Sequence, residues 1–167
     1  MPGRGGRVSF EQTVLPQLDA AYNLARWLVR DPALAQDVVQ DAMVRALRHF
    51  AAFRGDNPRA WLLQIVRRAA YDAMDARGRI VSLDGTELGV ADSAPNPEAT
   101  LTQSQNLLQL DMALTALPIE LRECLVLREL EEMSYKDIAR ITGVPVGTVM
   151  SRLWRARRAL ITNGGSP

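Results

Sequence analysis

Apolar residues recur at three- and four-residue spacing along most of the chain, and no convincing segment alternates apolar with polar positions. That periodicity predicts an all-α protein. The first stripe is Leu15, Leu18, Tyr22, Ala25, Leu28 and Val29. Asp31-Pro32 ends it and opens a second helix, because proline fits a first helical turn, where its missing N–H has no partner to lose. That helix should run to about Phe50 and turn Val38, Val39, Ala42, Met43, Ala46, Leu47 and Phe50 inward. Glycine, asparagine and proline cluster in Phe53-Arg54-Gly55-Asp56-Asn57-Pro58, which reads as a loop. A third helix carries Trp61, Leu62, Ile65, Val66, Ala69 and Met74, with Gly78 as its C-cap.

Turn-forming residues then crowd together: Ser82, Asp84, Gly85, Gly89, Asp92, Ser93, Pro95, Asn96 and Pro97. These types break regular structure, so the chain should divide here. Leu107, Leu110, Leu114 and Leu117 mark a helix closed by Pro118, and Leu121, Cys124, Leu125 and Leu127 mark the next. Ser134 caps a short helix with the stripe Ile138, Ala139 and Ile141, and Asp137 nearly completes a capping box. Thr148 caps or opens the last helix, whose inward face is Val149, Leu153, Ala156 and Leu160. The expected organisation is two small helical domains, 12–78 and 105–161, joined by a flexible acidic linker, 79–104. A flexible arm (1–11) and tail (162–167) flank them.

Net charge alone, +1 from 20 basic and 19 acidic residues, points to no partner. Its distribution does. Residues 1–78 sum to +3 and residues 79–106 to −3. After Asp137 no residue is acidic, while Arg140, Arg152, Arg155, Arg157 and Arg158 are basic. Such a local excess attracts phosphate even on a nearly neutral molecule. One cysteine, Cys124, and one histidine, His49, allow neither an internal disulfide nor a Cys/His zinc cluster. No apolar run is long enough to span a bilayer, and the N-terminus lacks the apolar core of a signal peptide. A cytoplasmic setting, with no metal and no cofactor, is the expectation.

Residues 134–157 then read as a helix-turn-helix. A capped short helix runs into Gly143 and Pro145, where a tight turn favours a residue without a Cβ. In the second helix Val149 and Leu153, four apart, anchor one side. Thr148, Met150, Ser151, Arg152 and Arg155 lie toward the open side. Either arginine can fork onto guanine O6 and N7 in a major groove. Arg157 and Arg158, further along, suit phosphate contacts that position without specifying. Tyr135 and Lys136, at the start of the first helix, also suit backbone phosphate. Trp154 is expected to pack against the domain's own helices.

The whole pattern resembles an extracytoplasmic-function (group IV) sigma factor of the sigma-70 family. The first match runs from Asp31-Pro32 through Asp37-Val38-Val39-Gln40-Asp41 to Phe53-Arg54 and Pro58-Arg59-Ala60-Trp61-Leu62. The second takes in Leu117-Pro118, Arg122, Met133 to Ala139, and Gly143 to Leu153 with Arg155-Ala156-Arg157. The resemblance implies that Asp37, Gln40 and Asp41 dock on the clamp helices of the largest RNA polymerase subunit. It implies that the second domain meets the beta flap and reads the −35 element of promoter DNA. The loop holding Arg54, Asp56, Asn57 and Arg59 would capture a flipped −10 base, with Arg67, Arg68 and Arg77 holding the strand beside it. Trp61 would pack beside that loop. The linker would thread along the polymerase. This chain departs from common family patterns at Ala69, Asp75-Ala76-Arg77, Asp137 and Met150, which thins its phosphate contacts. With no large domain expected after Pro167, regulation would come from outside, through an anti-sigma factor.

Two rival readings are weaker. A stand-alone helix-turn-helix regulator would need a sensor or dimerisation domain, and the front half has no pocket-forming composition. A hydrolase or metal enzyme would need a nucleophile–base pair or ligand spacing. Neither His49 nor Cys124 has one, so no catalytic residue is expected.

Overall fold

The computed structural model describes residues 10–55, 57–78 and 101–163, and every regular element among them is helical. A helical turn at 10–13 and a 3-10 turn at Leu15–Gln17 lead into α1, Leu18–Val29. Helix α2 spans Pro32–His49 and α3 spans Pro58–Arg77, with a 3-10 turn at Phe50–Ala52 between them. Then come α4 (Leu101–Ala116), α5 (Ile119–Leu125), α6 (Tyr135–Thr142) and α7 (Val146–Asn163). Helix α4 therefore starts inside the expected linker, and α7 reaches two residues into the expected tail.

The caps follow from the sequence. The Asp31 carboxylate accepts from the amides of Ala33 (3.0 Å) and Leu34 (3.3 Å), and Pro32 opens α2. Asn57 Oδ1 accepts from Ala60 N at 3.1 Å, and Ser134 Oγ from Asp137 N at 3.1 Å. Each cap satisfies an amide that the first helical turn leaves without a partner, worth about 1 kcal/mol. Gly78 and Gly143 close α3 and α6 in the left-handed region, at φ 63° and 73°. Arg30 ends α1 at φ 60°. A non-glycine residue there is strained by roughly 1–2 kcal/mol; its side chain offsets this by stacking on Trp27 and pairing with Asp111.

Two features lay beyond the sequence pattern. Helix α5 runs on into a π-helical turn, Val126–Leu130, after which Glu132 adopts φ 54°. Helix α7 begins at Val146, with the amides of Thr148 and Val149 bonded to Pro145 O; Thr148 thus lies in the first turn and does not cap it.

Helices α1, α2 and α3 pack on one another around Ala21, Leu24, Leu28, Leu62, Leu63 and Val66. Helix α7 packs on α5 and α6 around Leu127, Ile138, Val149 and Leu153. The two groups are also docked. Helix α3 lies against α6 and α1 against α5, so the buried apolar residues form one continuous cluster from Val14 to Ala156. One inward assignment is corrected: Leu47 is exposed, as are Leu107 and Leu110 of the stripe that marked α4, because these stripes are wider than the faces their neighbours cover.

Candidate nucleic-acid and polymerase interfaces

In the helix-turn-helix, Gly143 turns the chain between α6 and α7, and Val149, Leu153 and Ala156 bury the inner side of α7. Met150, Ser151, Arg155, Arg157 and Arg158 are exposed and Thr148 is half-buried. Arg157 pairs with Glu129 at 2.7 Å and Arg158 stacks over Trp154 at 5.0 Å. Trp154 itself is 59% exposed. The expectation that it packs inward is corrected: it lies outside the narrow arc taken by Val149, Leu153 and Ala156. Lys136 is exposed, while Tyr135 is half-buried under the Arg128 guanidinium at 4.7 Å. Arg152 differs from its neighbours. Its Nη1 is buried, and its charge acts on Glu123 and Cys124 within the molecule.

The loop before α3 is held from behind by aromatic rings. Phe53 and Trp61 have centroids 5.0 Å apart, and Phe50 joins both at 5.9 and 6.2 Å. Trp61 thus packs beside the loop, as the resemblance implies. Arg54, Arg68 and Arg77 are exposed, with Arg77 3.9 Å from Asp31. Asp56 lies outside the described residues. The remaining three −10 candidates turn toward the second helical group. Asn57 Nδ2 donates to Asp137 Oδ2 at 2.9 Å. Arg59 reaches Glu131, through its carbonyl at 3.2 Å and its carboxylate at 3.4 Å. Arg67 forks onto Glu123 at 2.7 and 3.0 Å.

Glu123 is fully buried. Burial pushes its carboxyl above the usual carboxylate range, although the bonds and charge of Arg67 pull the other way. Burial likewise opposes the Arg67 charge, yet the Glu123 bonds and charge hold its guanidinium above the ordinary value. The Arg67 guanidinium also stacks over the Tyr71 ring at 4.3 Å. Tyr71 is pushed up, first by burial and then by Glu123. The same two causes push the Cys124 thiol up to about 12. A thiol so high is almost entirely protonated at neutral pH and a poor nucleophile.

Arg122 is buried beside this cluster. It donates to the carbonyls of Thr115, Leu117 and, across the groups, Leu28 at 3.1–3.2 Å. Burial, then repulsion from Arg30, lowers it to about 10, so it stays charged at neutral pH. Asn23 to Glu131 (3.2 Å) and Arg30 to Asp111 (2.5 Å) complete the contacts.

These residues were missed in the sequence. Glu123 carried a signal, since it is a carboxylate set among Leu121, Cys124 and Leu125. Asp111, between Leu110 and Met112, carried the same kind of signal, whereas Glu131 carried none, because it sits among Glu129 and Glu132 along the chain.

On the far side, Asp37, Gln40 and Asp41 are exposed on α2. A shallow groove between α2 and α3 is lined by Asp37, Val38, Asp41, Ala69, Asp72 and Ala73. Arg45 bridges Asp41 (2.9 Å) and Asp72 (3.0 Å) at its rim. The α2 face is thus acidic and the loop before α3 carries the exposed Arg54, an asymmetry suited to two different partners. Among the described residues no group of His, Cys, Asp or Glu could hold a metal ion. No helix among them is long and apolar enough to cross a membrane.

Residues 14–80 match the family Sigma-70 region 2, and residues 107–160 match Sigma-70, region 4. The chain is 35% identical to the RNA polymerase sigma-H factor of Pseudomonas aeruginosa, over 94% of this chain and 86% of that one. It is 38% identical to the ECF RNA polymerase sigma-E factor of Escherichia coli, over 74% of this chain and 70% of that one. Among solved structures it is similar to the sigma factor RpoE in complex with the anti-sigma factor NepR from Bartonella quintana. That likeness has a TM-score of 0.73 at 32% identity and covers 92% of this chain and 95% of the other. The chain belongs to the sigma-70 family, as an ECF-type sigma factor related to the sigma-E group. Its function is that of the family: it binds core RNA polymerase, directs it to promoters and catalyses nothing itself.

Proposed function

We propose that the second helical group reads −35 duplex DNA through Thr148, Met150, Ser151 and Arg155, joined by Arg152. Tyr135, Lys136, Arg157 and Arg158 hold the flanking phosphates. The first group captures unstacked −10 bases through the loop at Arg54, Asp56, Asn57 and Arg59. Arg67, Arg68 and Arg77 hold the strand beside it. Extracting a base costs a few kcal/mol, offset by a pocket and strand contacts. Asp37, Gln40 and Asp41 meet basic groups on the clamp helices, and the second group meets the beta flap. The domain assignments are region 2 over 12–78 and region 4 over 105–161.

The observation that carries this reading is the pairing, in one chain, of an open acidic face on α2 with an exposed hydroxyl and arginine face on α7. An anti-sigma factor is the proposed regulator, on the likeness to the factor solved with NepR. Work at the polymerase places the protein in the cytoplasm.

Run-off transcription with core polymerase and a promoter library tests the reading. Specific starts should appear only when the chain is added. Tight DNA binding without polymerase, and no initiation with it, would make the chain a stand-alone regulator instead. Within that assay, Arg155→Ala should reduce discrimination at one −35 position by roughly 5- to 150-fold, as expected for a lost arginine–guanine fork. An equal loss on every sequence would make Arg155 a phosphate contact.

A further inference from the structure

We infer that Gly55 is the positioning residue of the −10 loop: without a side chain, its backbone lies against the Phe53 ring, and that contact sets the shape in which Arg54 and its neighbours meet an unstacked base. This rests on the −10 assignment proposed above and names what fixes the loop's geometry.

The contact is closer than any side chain at 55 would allow. A Cβ on Gly55 would stand 2.3 Å from Phe53 Cε2, 2.5 Å from Cζ and 3.2 Å from Cδ2. Carbon atoms in contact settle at about 3.5–4.0 Å, so the ring or the loop would have to move by about 1 Å. Among the described glycines, only Gly78 and Gly143 occupy the left-handed region. The φ of Gly55 is therefore open to residues with a side chain, and it is the ring that demands glycine.

The ring is the less free of the two. It is stacked on Phe50 at 5.9 Å, with 21° between planes, and tilted against Trp61 at 5.0 Å. Phe50 meets Trp61 at 6.2 Å and Phe10 edge-on at 5.3 Å, so rings from three segments hold one another. Phe53 N also donates to Phe50 O at 3.0 Å, closing the turn before the loop. At the other end Asn57 caps α3 through Ala60 N. Only Arg54, Gly55 and Asp56 lie between these fixed ends. Seating Gly55 on the ring holds the backbone on both sides of Arg54, whose residue is exposed. A loop held in this way presents its polar groups at a reduced ordering cost when a base arrives. A base edge is read through hydrogen bonds of about 2.7–3.2 Å, so a displacement of about 1 Å breaks them.

The test uses holoenzyme assembled from core polymerase and the full chain. Its probe is a single-stranded oligonucleotide carrying the non-template −10 sequence of a promoter found in the run-off assay. Discrimination is the ratio of its affinity to that of the same oligonucleotide with the −10 sequence scrambled. Gly55→Ala should lower that ratio by about tenfold, the loss of one or two hydrogen bonds to a base edge. Affinity for core polymerase and melting temperature should stay as in the wild type. Phe53→Leu supplies the second background: leucine has no atom where Cε2 and Cζ stand, so both closest contacts disappear. There Gly55→Ala should cost no more than about twofold, whatever Phe53→Leu costs by itself, because contacting residues are coupled. An equal cost in both backgrounds would overturn the inference, since alanine would then act through something other than the ring. So would a Gly55→Ala protein that keeps its discrimination, with or without a loss of stability, since the ring would have given way and the loop stayed. Should circular dichroism show that Gly55→Ala alone does not fold, the double variant decides by the same twofold limit. A wild-type holoenzyme that binds both oligonucleotides alike would instead sink the −10 assignment itself.

Discussion

Leu153→Ala is expected to lower stability by about 3 kcal/mol, the usual cost of emptying a buried leucine site. Leu153 is 1% exposed and stands one turn from Val149 and close to Ala156, both fully buried. These three hold α7 on α5 and α6. For a small domain, roughly 4–8 °C of melting temperature goes with each kcal/mol, so the helix-turn-helix group should melt about 12–24 °C lower. The cavity lies beneath the recognition helix, so −35 binding should weaken even below that transition. Trp154→Ala provides the contrast. Its ring is 59% exposed and meets Arg158, so removing it should shift stability by no more than about 0.5 kcal/mol. Thermal unfolding followed by circular dichroism separates the two. Equal shifts would mean that the indole is packed in solution and that α7 is rotated from the orientation described.

The contrast between those neighbours shows where sequence reading reaches its limit. Periodicity places Leu153 and Trp154 on the same helix and gives both an apolar character. Only the arc covered by α5 and α6 decides which of them is inside. Local signals fared best: Asp31-Pro32, Asn57-Pro58, Ser134 and Gly143 each act within one turn, and all four stand at helix ends. Leu47 failed as an inward residue, and Leu107 and Leu110 stand exposed on the helix they marked, because a stripe shows that a face is apolar and says nothing of whether a partner covers it. The docking of the two groups was illegible for a different reason. It depends on Asn57 with Asp137, Arg59 with Glu131 and Arg67 with Glu123, pairs 56 to 80 residues apart in the chain. A carboxylate on a helix is usually solvated, and nothing local marks these as exceptions. The acidic face of α2 was legible because its spacing alone sets Asp37, Gln40 and Asp41 opposite Val38 and Val39.

That face carries the other large effect. Asp37→Lys with Asp41→Lys should weaken binding to core polymerase by about 100-fold or more, since like charges brought together at an interface cost several kcal/mol. Both side chains are exposed, so the fold has little stake in them. Asp41 pairs with Arg45, but Arg45 keeps Asp72 at 3.0 Å when Asp41 is gone. Exposed pairs of this kind contribute roughly 0–1 kcal/mol, so the melting temperature should fall by a few degrees at most. Promoter-specific transcription should fall with polymerase affinity, whereas DNA binding by the helix-turn-helix group, on the opposite half of the chain, should not. Raised salt should also narrow the gap between wild type and variant, because screening shortens the reach of exposed charges. Fluorescence anisotropy of labelled factor titrated with core polymerase measures the affinity and its salt dependence. Unchanged affinity in a folded variant would remove α2 from the polymerase contact and leave the groove beside Asp72 without its proposed partner.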